Sequence, residues 1–394
     1  MKSTTNPLTA AAALAFASVL SSTTLIPVVR PLMRWVAPHS ESAGHAFMAL
    51  NLLGGIVAAP AIARLARRSH RRAALVTSLA LLDSGLLLLI ALPLPLGATL
   101  AVRTLQGALN IGVLSTIMGA APPGDVSGRG ARYGLLGTAM MLAVALGAPL
   151  GTVCLSMGLR APLLLSAALN LGVAIGAPLA HLDEQEQALV PAAPFRDFWR
   201  GILWIFAERF SIGLFVVTFA MHARLCTSAS DTRSGWMLTS FLVPFALAVY
   251  PAGRAADRVG AGLLGAGAAG VYGVGFFLLS LASSAQLFVL LPMLGLASAA
   301  IFASAMRDAG AAHASPSRVA AMSWLNSAGN LGMMLGTALA GIVCALLRAR
   351  SVAEHSAHAI VFGIGGATSM LVAALTLGAL FATRHLPHTI RVRS

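Results

Sequence analysis

About twelve apolar runs, each of roughly 20 residues or more, follow one another along this chain with only short polar or charged stretches between them. At about 1.5 Å per helical residue, such a run crosses about 30 Å of hydrocarbon. They occupy 8–33, 43–63, 73–92, 97–121, 132–157 and 161–180, then 201–222, 235–252, 261–282, 286–306, 319–346 and 358–382. Barrel strands would be about 10 residues long with alternating polarity, so the runs read as helices. With 58% hydrophobic and 10% charged residues among 394, there is too little polar surface to cover a water-soluble body. We expect an all-α integral membrane protein.

The first run follows Lys2 and has small residues near Ser18, as a secretory signal does, but it continues through Thr24, Leu25 and Ile26. We read it as the first span. An even count puts both ends on one side, and the basic residues say which. Seventeen of the 26 Lys and Arg, among them Arg64, Arg71, Arg129, Arg132, Arg254, Arg258, Arg307 and Arg318, fall at one face, seven at the other, and Arg103 and Arg209 inside spans. By the positive-inside rule the termini are cytoplasmic, in the inner membrane of a cell. The net charge of +14 is thereby a topology signal; the basic residues form no stripe with interleaved aromatics, so nucleic acid is not an expected partner.

Cys154, Cys226 and Cys344 are odd in number and imply neither a disulfide framework nor a metal site. There is no His-Glu-x-x-His pair, Gly-x-Ser-x-Gly elbow or phosphate loop. An enzyme, an ATP-driven pump and a bound cofactor are all unexpected. Residues 181–200, acidic and Pro-containing, read as a cytoplasmic linker between a six-span unit at 1–180 and another at 201–394. The halves echo each other: Arg129 stands 18 residues before Gly147, and Arg318 stands 18 before Gly336.

Between spans eight and nine lies Gly253-Arg-Ala-Ala-Asp257-Arg258-Val-Gly260. A Gly-x-x-x-Asp-Arg-x-Gly box at this place resembles the loop signature of the major facilitator superfamily. That resemblance implies two six-helix bundles, a cargo site between them near mid-membrane, and a box that helps close the cytoplasmic side. The matching place after span two reads Ala59-Pro-Ala-Ile-Ala63-Arg64-Leu-Ala66, with alanine where the acid and glycines are expected. We therefore expect a one-sided latch, with Asp257 facing the start of span five near Arg129 and Arg132.

Arg103-Thr-Leu-Gln106-Gly107 in span four is similar to the superfamily's Arg-x-x-Gln-Gly motif, and with Asn110 its polar side chains share one helix face. Such a face reads as a cavity wall, or Arg103 snorkels to the interface. Gly147-Ala-Pro149-Leu-Gly151 in span five resembles a variant of the exporters' Gly-Pro-x-x-Gly signature, a pliable contact between the halves, or it is plain packing glycine.

Two acids lie inside spans. Asp83, near mid-membrane, reads as a partner of Arg103 or as a proton carrier, since an unpaired charge there costs roughly 2.5–3.5 kcal/mol. Glu208, beside Arg209, is the second candidate. Ser21 and Ser22 belong to a hydroxyl-rich stretch of span one that either lines the cavity or bonds its own backbone. The resemblance to the drug and sugar efflux branch implies a proton antiporter exporting a small molecule by alternating access. Span one carries no acid, which argues against cationic drugs; Arg103 and Arg209 suit an anionic or hydroxyl-rich cargo. Protons, a small molecule and the bilayer are the expected partners, and a monomer the expected unit. An importer or facilitator on the same fold, or a membrane receptor or scaffold without transport, remains the alternative.

Overall fold

The computed structural model describes residues 6–38, 40, 43–69, 71–121, 128–180, 182, 198–227, 231–311 and 315–384. They form thirteen α-helices: α1 (Pro7–Thr23), α2 (Val29–Val36), α3 (Ala43–Arg68), α4 (Arg72–Ile90), α5 (Leu96–Ala120), α6 (Arg129–Ser156), α7 (Ala161–Leu179), α8 (Trp199–Thr227), α9 (Asp231–Val259), α10 (Ala261–Leu279), α11 (Ser284–Ala309), α12 (Ser315–Ala349) and α13 (Glu354–Arg384). Eleven spans among the described residues are long and apolar enough to cross a membrane, with α1 and α2 counting as one. The 29-residue α8 stands in the seventh place. This is a multi-pass, all-helical membrane protein, as hydrocarbon demands: a chain in lipid must satisfy its backbone groups internally.

The first run departs from expectation by breaking. Helix α1 ends at Thr23, a 3-10 turn covers Ile26–Val28, and α2 follows. Pro27 has no N–H to continue the ladder, and the Thr24 hydroxyl donates to the Ser21 carbonyl at 2.9 Å, so the break stays internally bonded. Hydropathy does not register such a break, because every residue around it is apolar or small. At the start of α11, Ser283 and Gln286 form a reciprocal capping box.

The helices pair in a pattern that occurs twice. Within the first six spans α1 packs on α6, α3 on α5 and α4 on α7; within the second, α8 packs on α12, α9 on α11 and α10 on α13. Across the seam α6 meets α9 and α11, and α12 meets α3 and α5. Corresponding helices therefore make corresponding contacts, consistent with two six-helix bundles. The echo between Gly147 and Gly336 has the same meaning, since Gly147 lies against Thr23 of α1 and Gly336 against the Phe210 backbone of α8. Of the expected linker, residues 181 and 183–197 lie outside the described residues.

Candidate functional site

The seam between the halves is held firmly at the face that carries most of the basic residues. Gly253 on α9 and Gly130 on α6 approach until each lies against the other's carbonyl, and a side chain on either would hold the helices apart. One turn along α9 this approach sets the Asp257 carboxylate over the first turn of α6, whose leading amides have no partner in their own helix. The Gly130 N–H donates to Oδ1 at 2.8 Å and the Ala131 N–H to Oδ2 at 3.0 Å. Arg307, near the end of α11, donates through Nε to Oδ1 at 2.8 Å. Both the free amides and the helix dipole favour an acid here.

Asp257 faces the start of span five, between Arg129 and Arg132 as expected, but its partners there are the α6 backbone amides and not those two side chains, with Arg307 added from α11. First-turn amides point along the helix axis toward the acid, whereas side chains radiate from it. Nor is the box a loop. Gly253 to Val259 remain helical, Arg258 lies in the last turn of α9, and the chain turns only at Gly260, whose φ of 94° glycine adopts without strain.

On the other side of the seam the described residues place arginines where this side has its acid. Ala59, Ala63 and Ala66 are buried. Arg72 donates through Nη1 to the Ala66 carbonyl, and Arg318, in the first turns of α12, donates through Nε to Gly119 near the end of α5 at 3.2 Å. A cation at carbonyl ends is the dipole counterpart of an acid at amide ends. Deeper in, Asn326 donates to the Ser115 hydroxyl at 3.1 Å and Ser327 to the Gly55 carbonyl at 3.1 Å.

Asp83 is fully buried inside the first bundle. Asn170 of α7 donates to its Oδ2 at 2.8 Å, and Gln106 and Asn110 of α5 also face the carboxylate, with Arg103 near enough to feel its charge. Arg103 does not form the direct ion pair with the acid that was weighed from the sequence. Its Nη1 donates to Gln106 Oε1, which also accepts from Asn51 of α3 at 2.8 Å. The guanidinium does not snorkel; it is 3% exposed and lies over the Phe47 ring at 4.7 Å. Asn51 stands one turn from Gly55, which packs against Asn330 of α12. Asp83 Oδ1 and Gln106 Nε2 have no hydrogen-bond partner among the described residues, so the acid adjoins the Asn51–Gln106–Arg103 cluster without being bonded to it.

In the second bundle Glu208 and Arg209 pair with each other, Glu208 Oε2 to Arg209 Nε at 3.3 Å. The Ser298 hydroxyl of α11 donates to Glu208 Oε1 at 2.5 Å, so the acid is turned into its own bundle and fully buried. The Arg209 side chain is 22% exposed. Its guanidinium lies 5.9 Å from the Phe245 ring centre and 5.6 Å from that of Phe302.

Residues 201–393 match the sequence profile of the Major Facilitator Superfamily. Among solved structures, the chain is similar to the human organic anion transporter MFSD10 at TM-score 0.70 and 15% identity, covering 94% of this chain and 98% of that one. It is also similar to a bacterial homologue of the iron transporter ferroportin in an outward-facing state, at TM-score 0.71 and 13% identity, covering 95% and 99%. The chain has the major facilitator fold. No curated protein matches it by sequence.

Within the major facilitator fold, the fifth-span glycines serve a different contact from the expected one. Gly147 and Gly151 lie against Thr23, Thr24 and Pro27 of their own bundle, with Pro149 on an exposed face. Within α6 the glycines that touch the other half are Gly130, Gly134 and Gly137. Gly147→Ala is expected to lower stability by about 1–3 kcal/mol, because its Cβ would overlap the Thr23 side chain. Gly172→Ala, with open space around it, should raise stability by about 0.4–1 kcal/mol. Thermal unfolding of the detergent-solubilised chain compares the two, and equal melting temperatures would sink the packing argument.

Ser21 is likewise not a cavity residue: it is buried and donates to the Ser166 carbonyl of α7 at 2.9 Å. Ser22 is half-buried on the adjoining face. Sequence reasoning missed Asn51, Asn170, Ser298, Arg307 and Arg318. Asn170 carried a usable signal, an amide in an apolar span, as Asp83 did among the acids.

Proposed function

We propose that this protein is a proton-coupled secondary transporter of the inner membrane, acting as a monomer with both termini in the cytoplasm, that exports a small molecule by alternating access. The observation that carries the reading is the Asp257 contact: a single carboxylate of one half accepts from two amides of the other at the basic face. Such a contact is made or broken as a unit, which suits a two-state seam. Positive-inside orientation assigns that face to the cytoplasm, so the present arrangement is the outward-facing one. Its likeness to a structure solved outward-facing supports this assignment. The two neighbours are named for unlike cargoes, organic anions and iron, and the fold leaves cargo open.

Asp83 is the proton carrier in this reading, because it is a fully buried acid with no direct ion pair, and its Oδ1 has no hydrogen-bond partner among the described residues. Glu208 is the counter-ion of Arg209 rather than a second carrier. Export rests on the resemblance of the fifth-span motif to the exporters' signature, not on the contact those residues make. Everted vesicles bearing the full chain and an imposed pH gradient test the proposal against panels of sugars, amino acids, organic anions and cationic drugs. We expect one panel to collapse the gradient. Folded protein that moves cargo without protons would overturn the coupling and leave a facilitator; folded protein that moves nothing would leave a receptor or scaffold.

A further inference from the structure

We propose that the cargo is an organic carboxylate and that Arg209 receives its charged end. The inference rests on the transport reading for the seam as a cargo route, and on the geometry around Arg209 for the rest.

Two guanidinium groups lie deep in the protein, and only one is disposed to bind a ligand. Arg103 is sequestered inside the first bundle, occupied by Gln106 and covered by Phe47. Arg209 is committed only along one edge, where Nε faces Glu208 at 3.3 Å. Its terminal nitrogens have no hydrogen-bond partner among the described residues, and the side chain is part-exposed. A carboxylate matches such a planar fork with two parallel hydrogen bonds, which a lysine ammonium does not offer.

The surroundings fix where that fork stands. Gly329 of α12 abuts the Arg209 side chain at Cγ, and the Phe245 and Phe302 rings flank the guanidinium. Phe302 in turn touches Gly137 of α6, across the seam. Arg209 therefore sits at the boundary of the halves, above the closed contacts of the basic face, with its guanidinium beside two buried rings. A cation would meet the opposite: Glu208 is fully buried, with Oε1 held by Ser298 and Oε2 turned to Arg209.

The groups that face Glu208 decide how its charge acts. They are Arg209 on its own helix, Ser298 on α11 and Tyr272 on α10, and of these only Arg209 is a cation. Glu208 thus offsets the Arg209 charge that an incoming anion would see. Removing the acid's charge should strengthen anion binding if Arg209 is a receptor, and weaken it if Arg209 is only a structural partner that needs its acid for position.

The test is calorimetric binding of benzoate and 2-naphthoate, against the neutral benzamide and 2-naphthamide, to the purified full chain. In the wild type each acid is expected to bind at least ten-fold more tightly than its amide. Arg209→Gln should erase that preference and Arg209→Lys should retain part of it, while Glu208→Gln should tighten acid binding several-fold with no change for the amides. Should Arg209→Gln fail to fold with Glu208 left unpaired, the double variant Glu208→Gln with Arg209→Gln removes both charges and must also lose the preference. Amides binding as well as acids, no acid binding at all, or weaker acid binding in Glu208→Gln would each overturn the assignment. Binding needs no gradient, so a chain that holds carboxylates yet moves no protons would sink only the coupling, and one that exports a neutral or cationic cargo would sink only this inference.

Discussion

Asp83→Asn is expected to abolish cargo-driven collapse of a pH gradient in everted vesicles, by at least about a hundred-fold, while cargo exchange without a gradient persists. The magnitude follows from where the carboxylate lies. Inside a span, the charged and neutral forms differ by roughly 2.5–3.5 kcal/mol, and each 1.4 kcal/mol is about ten-fold in an equilibrium. A proton on Asp83 therefore changes the first bundle enough to shift a two-state balance about a hundred-fold. The amide keeps the shape and can still accept from Asn170, so the geometry at 2.8 Å is retained while the exchangeable proton is lost. It leaves Arg103 without a counter-charge, and a buried pair broken on one side is destabilising. The companion variant, Asp83→Asn with Arg103→Gln, removes both charges and should fold, exchange cargo and still move no protons. If either folded variant collapses the gradient like the wild type, Asp83 is structural and the coupling lies elsewhere.

What was legible beforehand follows the range of the physics. Hydropathy is a local quantity, and the twelve runs it marks correspond to the long helices because each must span the hydrocarbon by itself. The break at Thr24–Val28 escaped because Pro27 interrupts hydrogen bonding without interrupting apolarity. The box at 253–260 was visible as a motif, yet its chief side-chain partner, Arg307, is fifty residues away on another helix, a pairing that only the packing of α9 on α11 creates. Ser21 and Gly147 show the same limit. Both residue types were noticed, but the helix face each presents depends on the rotation of α1 and α6 about their axes, which small and apolar neighbours leave undetermined. Asp83 and Arg103 were readable as a related pair because charges in lipid need partners, and Gln106 by its place on the Arg103 face; that Asn51 of α3 and Asn170 of α7 meet them was not, since nothing along the chain links positions 51 and 170 to that face.

Asp257→Ala is expected to open the seam at the basic face. The carboxylate accepts from two amides of the opposite half and from Arg307, and hydrogen bonds to a charged group contribute about 1.5–3 kcal/mol each. Water takes over part of these once the face opens, so a net loss of about 3 kcal/mol is reasonable, or roughly a hundred-fold in the balance between closed and open seams. Val249 reports the change: it is fully buried and packs against Gly137 across the seam. With Cys154, Cys226 and Cys344 replaced, Val249→Cys should react slowly with an impermeant maleimide applied to everted vesicles, and one to two orders faster when Asp257→Ala is added. Arg307→Gln should act in the same direction with a smaller effect, because the α6 amides remain bound. Gly253→Leu should also open the seam while leaving Asp257 intact, since its side chain would meet the Gly130 backbone. Agreement among the three variants would place the closing force in the contact between α9 and α6. Unchanged labelling in Asp257→Ala would mean that the contacts on the other side, Arg318 to Gly119 and Asn326 to Ser115, hold the face shut without the acid.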